Sequence, residues 1–174
     1  AIARPIAPAG RSPRTPLSRA RRAGHSAVLP NLIIIGAAKS GTTSLHYYLS
    51  LHPQIAMSRV KELRFFSHDT RWAQGVQWYA SQFRDDARIR GEASPSYTSP
   101  IRFPHTVERM HATVPDARLI YLVRDPVARA VSHYNFVHSQ GRESCSIADA
   151  LTASDSRYVV ESLYWTQLER YLQR

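Results

Sequence analysis

Leu32-Ile33-Ile34-Ile35 is an unbroken run of large apolar residues, as a parallel strand covered on both faces requires, and Gly36 ends it. From Thr42 the apolar positions Leu45, Tyr48, Leu49 and Leu51 recur at helical spacing until His52-Pro53 closes the segment. The unit reads as strand, tight loop, helix. Residues 55–100 mix short apolar and polar stretches, with Phe65-Phe66, a short helix around Trp78-Tyr79, a strand over Ala87 to Glu92 and a loop between Pro95 and Pro100. Thr106 to Thr113 reads as a helix, and Arg118 to Val123 as a second buried strand. Pro126 opens a helix to about Ser139, because proline suits the first turn, where an N–H has no partner. Ile147–Ala153 and Val159–Leu172 read as two more helices. Strands alternating with helices predict an α/β fold, a P-loop-NTPase-like parallel sheet flanked by helices, with no internal repeat.

The chain has 174 residues and a formal charge of +10. Residues 1–24 hold six arginines, four prolines and no acid, too little apolar surface to offset the entropy of ordering. They read as a disordered basic arm that extends to about residue 28, ahead of one domain over 29–174. The 150 residues after position 24 carry a net charge of only +4, which removes most of the case for specific nucleic-acid binding. Of the 23 basic residues only Lys39 and Lys61 are lysine. Cys145 is the single cysteine, which excludes an internal disulfide and a multi-thiolate metal site. Eight histidines show no i, i+4 ligand spacing, so no metal is expected. No apolar run approaches the ~18 residues of a membrane span. The compartment is unknown from sequence, with a cytoplasmic setting the default and an anchor upstream of Ala1 left open.

Two of only seven glycines, Gly36 and Gly41, fall within six residues between the first strand and its helix. Open N–H groups at the helix start, the helix dipole and the hydroxyls of Thr42, Thr43 and Ser44 make an anion cradle with Lys39 at its mouth. The spacing is not Walker A, because Lys39 precedes Gly41 by two positions. A capped helix with small residues for packing is the plainer alternative. Arg124 stands at the end of the second buried strand, the edge where open parallel sheets place ligands. With Ser132 it could hold a second phosphate. Equally, Arg124 or Arg129 could pair with Asp125 and tie strand to helix.

Together, Lys39-Ser40-Gly41-Thr42-Thr43 after a strand resembles the 5′-phosphosulfate loop of sulfotransferases that use 3′-phosphoadenosine 5′-phosphosulfate (PAPS). Arg124 to Ser132 resembles their 3′-phosphate motif. Lys61-Glu62-Leu63-Arg64-Phe65-Phe66, Gly75-Val76-Gln77-Trp78-Tyr79 and Glu92-Ala93-Ser94-Pro95-Ser96-Tyr97 are similar, in order, to segments of the heparan sulfate N- and 3-O-sulfotransferase branch. The resemblance implies a sulfotransferase fold and sulfuryl transfer from PAPS, with no metal required, to a hydroxyl or amine of a glycan or small molecule. It implies Lys39 at the departing oxygen, and Ser40, Gly41, Thr42, Thr43 and Ser44 on the 5′-phosphate. Arg124 and Ser132 would bind the 3′-phosphate, and Lys61 and Arg64 the acceptor or sulfonate. Glu62 would be the general base, with a pKa raised by burial behind Phe65 and Phe66. Ala93 stands where the branch has lysine, leaving that contact to Arg64 or Arg102. The branch's later Lys/Arg-Gly loop has no counterpart before Arg174, so the domain is expected to be incomplete. Two other readings stay in play: a P-loop nucleotide kinase or NTPase, and a non-catalytic anion-binding fragment dominated by the arm.

Overall fold

The computed structural model describes residues 28–84, 86–99 and 101–173, and the arm falls outside them up to residue 27. Leu32–Gly36 forms strand β1, buried at every position, as its unalternating composition requires. Ile55–Met57 (β2), Ile89–Ala93 (β3) and Arg118–Tyr121 (β4) join it in one sheet of order β2-β3-β1-β4, every pair parallel. The helices are α1 (Thr42–Ser50), α2 (Asp69–Trp72), α3 (Gly75–Ala80), α4 (Thr106–Thr113), α5 (Pro126–Ser139), α6 (Ile147–Thr152), α7 (Arg157–Val160) and α8 (Tyr164–Leu172). The chain leaves β1 toward β2 and β3 on one side and reaches β4 on the other. The C-terminal end of β1 is therefore the switch point at which open α/β sheets bind ligands.

The main core packs Ile33 and Ile35 of β1 against Leu63, Phe65, Phe66, Tyr79, Tyr97 and Met110. A smaller cluster of Ala130, Tyr134, Val137, Ala150 and Tyr158 joins α5, α6 and α7. Among the described residues no helix is long and apolar enough to cross a membrane.

Several sequence expectations shift. Among the described residues β4 is an edge strand that pairs with β1 alone, which leaves Arg118 and Leu119 exposed rather than in a second fully buried strand. Its pairing continues past Tyr121, where Leu122 and the Gly36–Ala37 pair exchange N–H···O bonds of 2.8 Å. The loop after Pro95 contains a 3₁₀ turn over Pro95–Thr98. The expected helix from Val159 to Leu172 is broken at Glu161–Leu163 into α7 and α8. There the Ser162 hydroxyl bonds the Pro126 and Tyr158 carbonyls and accepts Arg129 Nε–H at 2.7 Å, which docks the break on α5.

Candidate active site

Gly36 ends β1 beneath the 3₁₀ turn, where a Cβ would collide with the Thr98 hydroxyl. Only glycine lets the chain turn there. Lys39 (φ 68°) and Gly41 (φ 92°) are both left-handed, and the loop they form delivers the chain to the start of α1. No side chain caps that helix, so the first-turn N–H groups of Thr42, Thr43 and Ser44 stay open at the positive end of its dipole. The Ser40 hydroxyl in the same loop is buried without a partner among the described residues. A buried donor without a partner is unfavourable, and an anion oxygen would satisfy it. Lys39 makes no ion pair among the described residues; its Nζ lies 4.3 Å from the centre of the Phe136 ring.

The segment Lys61–Arg64 crosses in front of β3. Leu63 is buried in the core while Glu62 and Arg64 turn outward, at φ 63° and 55°. Non-glycine left-handed residues cost about 1–3 kcal/mol each and cluster at functional sites. The Glu62 side chain, 32% exposed, accepts Lys61 Nζ at 2.8 Å, and Arg64 Nε and Nη2 at 3.2 and 2.5 Å. Partial burial pushes this carboxyl up, but hydrogen bonds from Lys61 and Arg64 and their charges outweigh it, leaving it below the ordinary glutamate value. That reverses the expected rise. Phe65 and Phe66 belong to the core beneath the loop, and the groups that face the carboxylate are the two cations.

Arg124 is exposed and donates from Nη1 to the Lys39 carbonyl at 3.1 Å, bordering the loop from the β4 side. Asp125 takes no part in that contact; its carboxylate caps α5 by accepting the Ala128 N–H at 2.7 Å. Arg129, fully buried, reaches the Ala38 and Tyr158 carbonyls and lies 3.8 Å from Glu161 Oε2. It thus ties the loop after β1 to the α7–α8 break. Ser132 lies half-buried on α5 and does not line the cleft. Glu161, which nothing in the sequence singled out, accepts the Ser99 hydroxyl at 2.6 Å and faces His133 Nδ1 at 3.5 Å.

One cleft of about 660 Å³ brings together Lys39, Gly41, Thr42, Thr43, Lys61, Glu62 and Arg64. Arg102, Arg142 and Arg157 also line it, so six permanent cations face two acids, Glu62 and Glu161. Such a field favours an anionic ligand. The volume lies within the range of ligand pockets, about 300–1,000 Å³.

Fold and cleft define an α/β protein with a loop suited to an anion at the switch point of a parallel sheet. A family model described as a sulfotransferase domain matches residues 29–174, and the chain belongs to that family. A membrane-associated sulfotransferase, kil1, of Dictyostelium discoideum is 44% identical over 118 residues, covering 65% of this chain and 24% of that protein. Heparan sulfate glucosamine 3-O-sulfotransferase 5 of Mus musculus is 32% identical over 158 residues, covering 83% of this chain and 44% of that one. The chain thus spans less than half the length of these two curated relatives. The crystal structure of a sulfotransferase from Alicyclobacillus acidocaldarius superposes with a TM-score of 0.68 at 31% identity, covering 84% of this chain and 69% of the other.

Proposed function

We propose that the protein transfers a sulfuryl group from PAPS to a hydroxyl or amino group, with a carbohydrate as the acceptor. The observation that carries this reading is the juxtaposition in one cleft of an anion loop bearing Lys39 with a carboxylate held between Lys61 and Arg64. The carbohydrate is favoured by the relatives that act on heparan sulfate glucosamine.

PAPS, when bound, supplies the sulfuryl group and a phosphate oxygen on which it departs. The open N–H groups of Thr42, Thr43 and Ser44, with the unpartnered Ser40 hydroxyl and the turn at Gly41, suit the 5′-phosphate. Lys39 offsets the negative charge that develops on the departing oxygen. Arg124, which borders the Lys39 loop outside the cleft lining, takes the 3′-phosphate where the nucleotide extends beyond the cleft toward α5, with Ser132 there as a second donor. Lys61 and Arg64 hold the sulfonate and acceptor, and Arg64 or Arg102 stands in for the cation that Ala93 lacks. Positive side chains here do the charge neutralisation that metal ions do in phosphoryl transfer. Glu62 is ionised at neutral pH and so ready to accept the acceptor's proton. Cations that turn from it to an incoming anion leave the carboxylate more basic at that moment.

The test is Glu62→Gln in the full chain, assayed with PAPS and heparan sulfate. Transfer falls by about 100-fold or more, while affinity for adenosine 3′,5′-bisphosphate stays as in the wild type. Transfer retained by Glu62→Gln would place the base elsewhere.

A further inference from the structure

Behind the cleft, at the end of β3, lies a carboxylate that the chemistry above does not use. Glu92 is fully buried and accepts three hydroxyls: Tyr79 at 2.6 Å and Tyr97 at 2.7 Å, both on Oε1, and Ser94 at 2.8 Å on Oε2. We propose that Glu92 is a positioning residue, which sets the Glu62–Arg64 segment through the hydroxyl of Ser94. The proposal rests on the reading of Glu62 as the base.

The reason is a proton inventory. A serine hydroxyl has one proton and two lone pairs. With its proton committed to Glu92, Ser94 presents only lone pairs outward, and one accepts the Arg64 N–H at 3.0 Å. The Arg64 carbonyl is held from the other side by the Ser67 and His68 N–H groups at 3.2 and 3.1 Å. Glu62 N–H donates to the Ala93 carbonyl at 3.0 Å, so both left-handed residues are anchored on the Ala93–Ser94 end of β3. The backbone fixed in this way carries the guanidinium that pins the Glu62 carboxylate. The donors to Glu92 are themselves seated by the residues that follow the loop. Tyr79 stacks on Phe65 with centroids 4.3 Å apart at 7°, and Tyr97 packs against Phe66 at 5.5 Å.

An anionic carboxylate is what this arrangement calls for, because it accepts at both oxygens. Glutamine keeps the shape but reverses one bond. Both tyrosines need the oxygen, so the amide NH₂ must face Ser94, whose own proton then loses its acceptor and competes for the space before the Arg64 N–H.

The experiment compares Glu92→Gln, Ser94→Ala and the double variant in the full chain, with Glu62→Gln as reference. Three quantities are read: affinity for adenosine 3′,5′-bisphosphate, kcat with PAPS and heparan sulfate, and the titration of the Glu62 carboxyl carbon by NMR. Nucleotide affinity is expected within twofold of wild type and kcat lower by about 10- to 100-fold, as for a small misplacement of a reacting group. The Glu62 titration moves up toward the ordinary glutamate value, a change that general loss of packing in the core does not produce. Because the two residues act in series, the double variant is no slower than Ser94→Ala. The inference is overturned by kcat within twofold of wild type in both single variants. Losses that multiply in the double variant, or a Glu62 titration that stays at the wild-type position, overturn it as well. Should Glu92→Gln not fold, Ser94→Ala alone decides by the same criteria. Retained transfer in Glu62→Gln would refute the base assignment, and the Glu62 titration would still decide whether Glu92 and Ser94 set the loop.

Discussion

Glu62 and His133 face the same cleft, and their surroundings drive both toward the deprotonated form. At Glu62, contact with two cations outweighs partial burial and keeps the carboxylate charged. At His133, burial and then the charges of Arg129 and Arg157 push the imidazole down to about 4. Its Nδ1 lies 3.4 Å from a guanidinium nitrogen of Arg129 and 3.5 Å from Glu161 Oε2, and the ring's second proton is disfavoured beside the guanidinium. The unfolded chain takes up that proton near 6.5, so between 6.5 and about 4 the unfolded state binds more protons than the folded one. Stability from this group is present above pH 6.5 and is lost as pH falls toward 4. The shift corresponds to about 3 kcal/mol. Urea denaturation at pH 7 and pH 4 should therefore show wild type losing about 3 kcal/mol more than His133→Gln. An equal loss in both would mean that His133 is not buried in its neutral form.

Elements meet at the cleft through side chains that sequence spacing does not connect. Arg129 joins the loop after β1 to the break between α7 and α8, without exposure to solvent. Replacing it with alanine leaves the largely buried Glu161 without its guanidinium and removes a donor from the Ala38 and Tyr158 carbonyls. The expected cost is about 3–5 kcal/mol, measured by urea unfolding; a loss below 1 kcal/mol would show the link to be dispensable. The β1–loop–α1 unit was legible because its signals are local, an apolar run, two glycines in a glycine-poor chain and helical spacing after Thr42. The exposure of β4 was not, since Leu-Ile-Tyr-Leu reads alike in an edge strand and a central one, and only the sheet order tells them apart. β2 and α2, at three and four residues, are too short to show a period. The contacts of Glu161 with Ser99 and of Arg129 with Ala38 and Tyr158 span 29 to 91 residues in sequence, and no local pattern announces them. Glu92 was legible as part of a motif, but its burial under two tyrosines was not.

At the scale of the whole molecule, the charge of +10 resolves into separate parts. The six arginines of residues 1–24 carry more than half of the excess. Six cations of the folded part converge on one cleft at the sheet's switch point. The central claim is that this cleft takes a doubly phosphorylated adenosine sulfate donor, and calorimetric titration of the full chain in the presence of a chelator tests it most directly. Adenosine 3′,5′-bisphosphate should bind at least about tenfold tighter than adenosine 5′-monophosphate, a difference near 1.4 kcal/mol, and Lys39→Ala should weaken it. Equal affinity for the two nucleotides, or a requirement for magnesium with preference for ATP, would contradict the account.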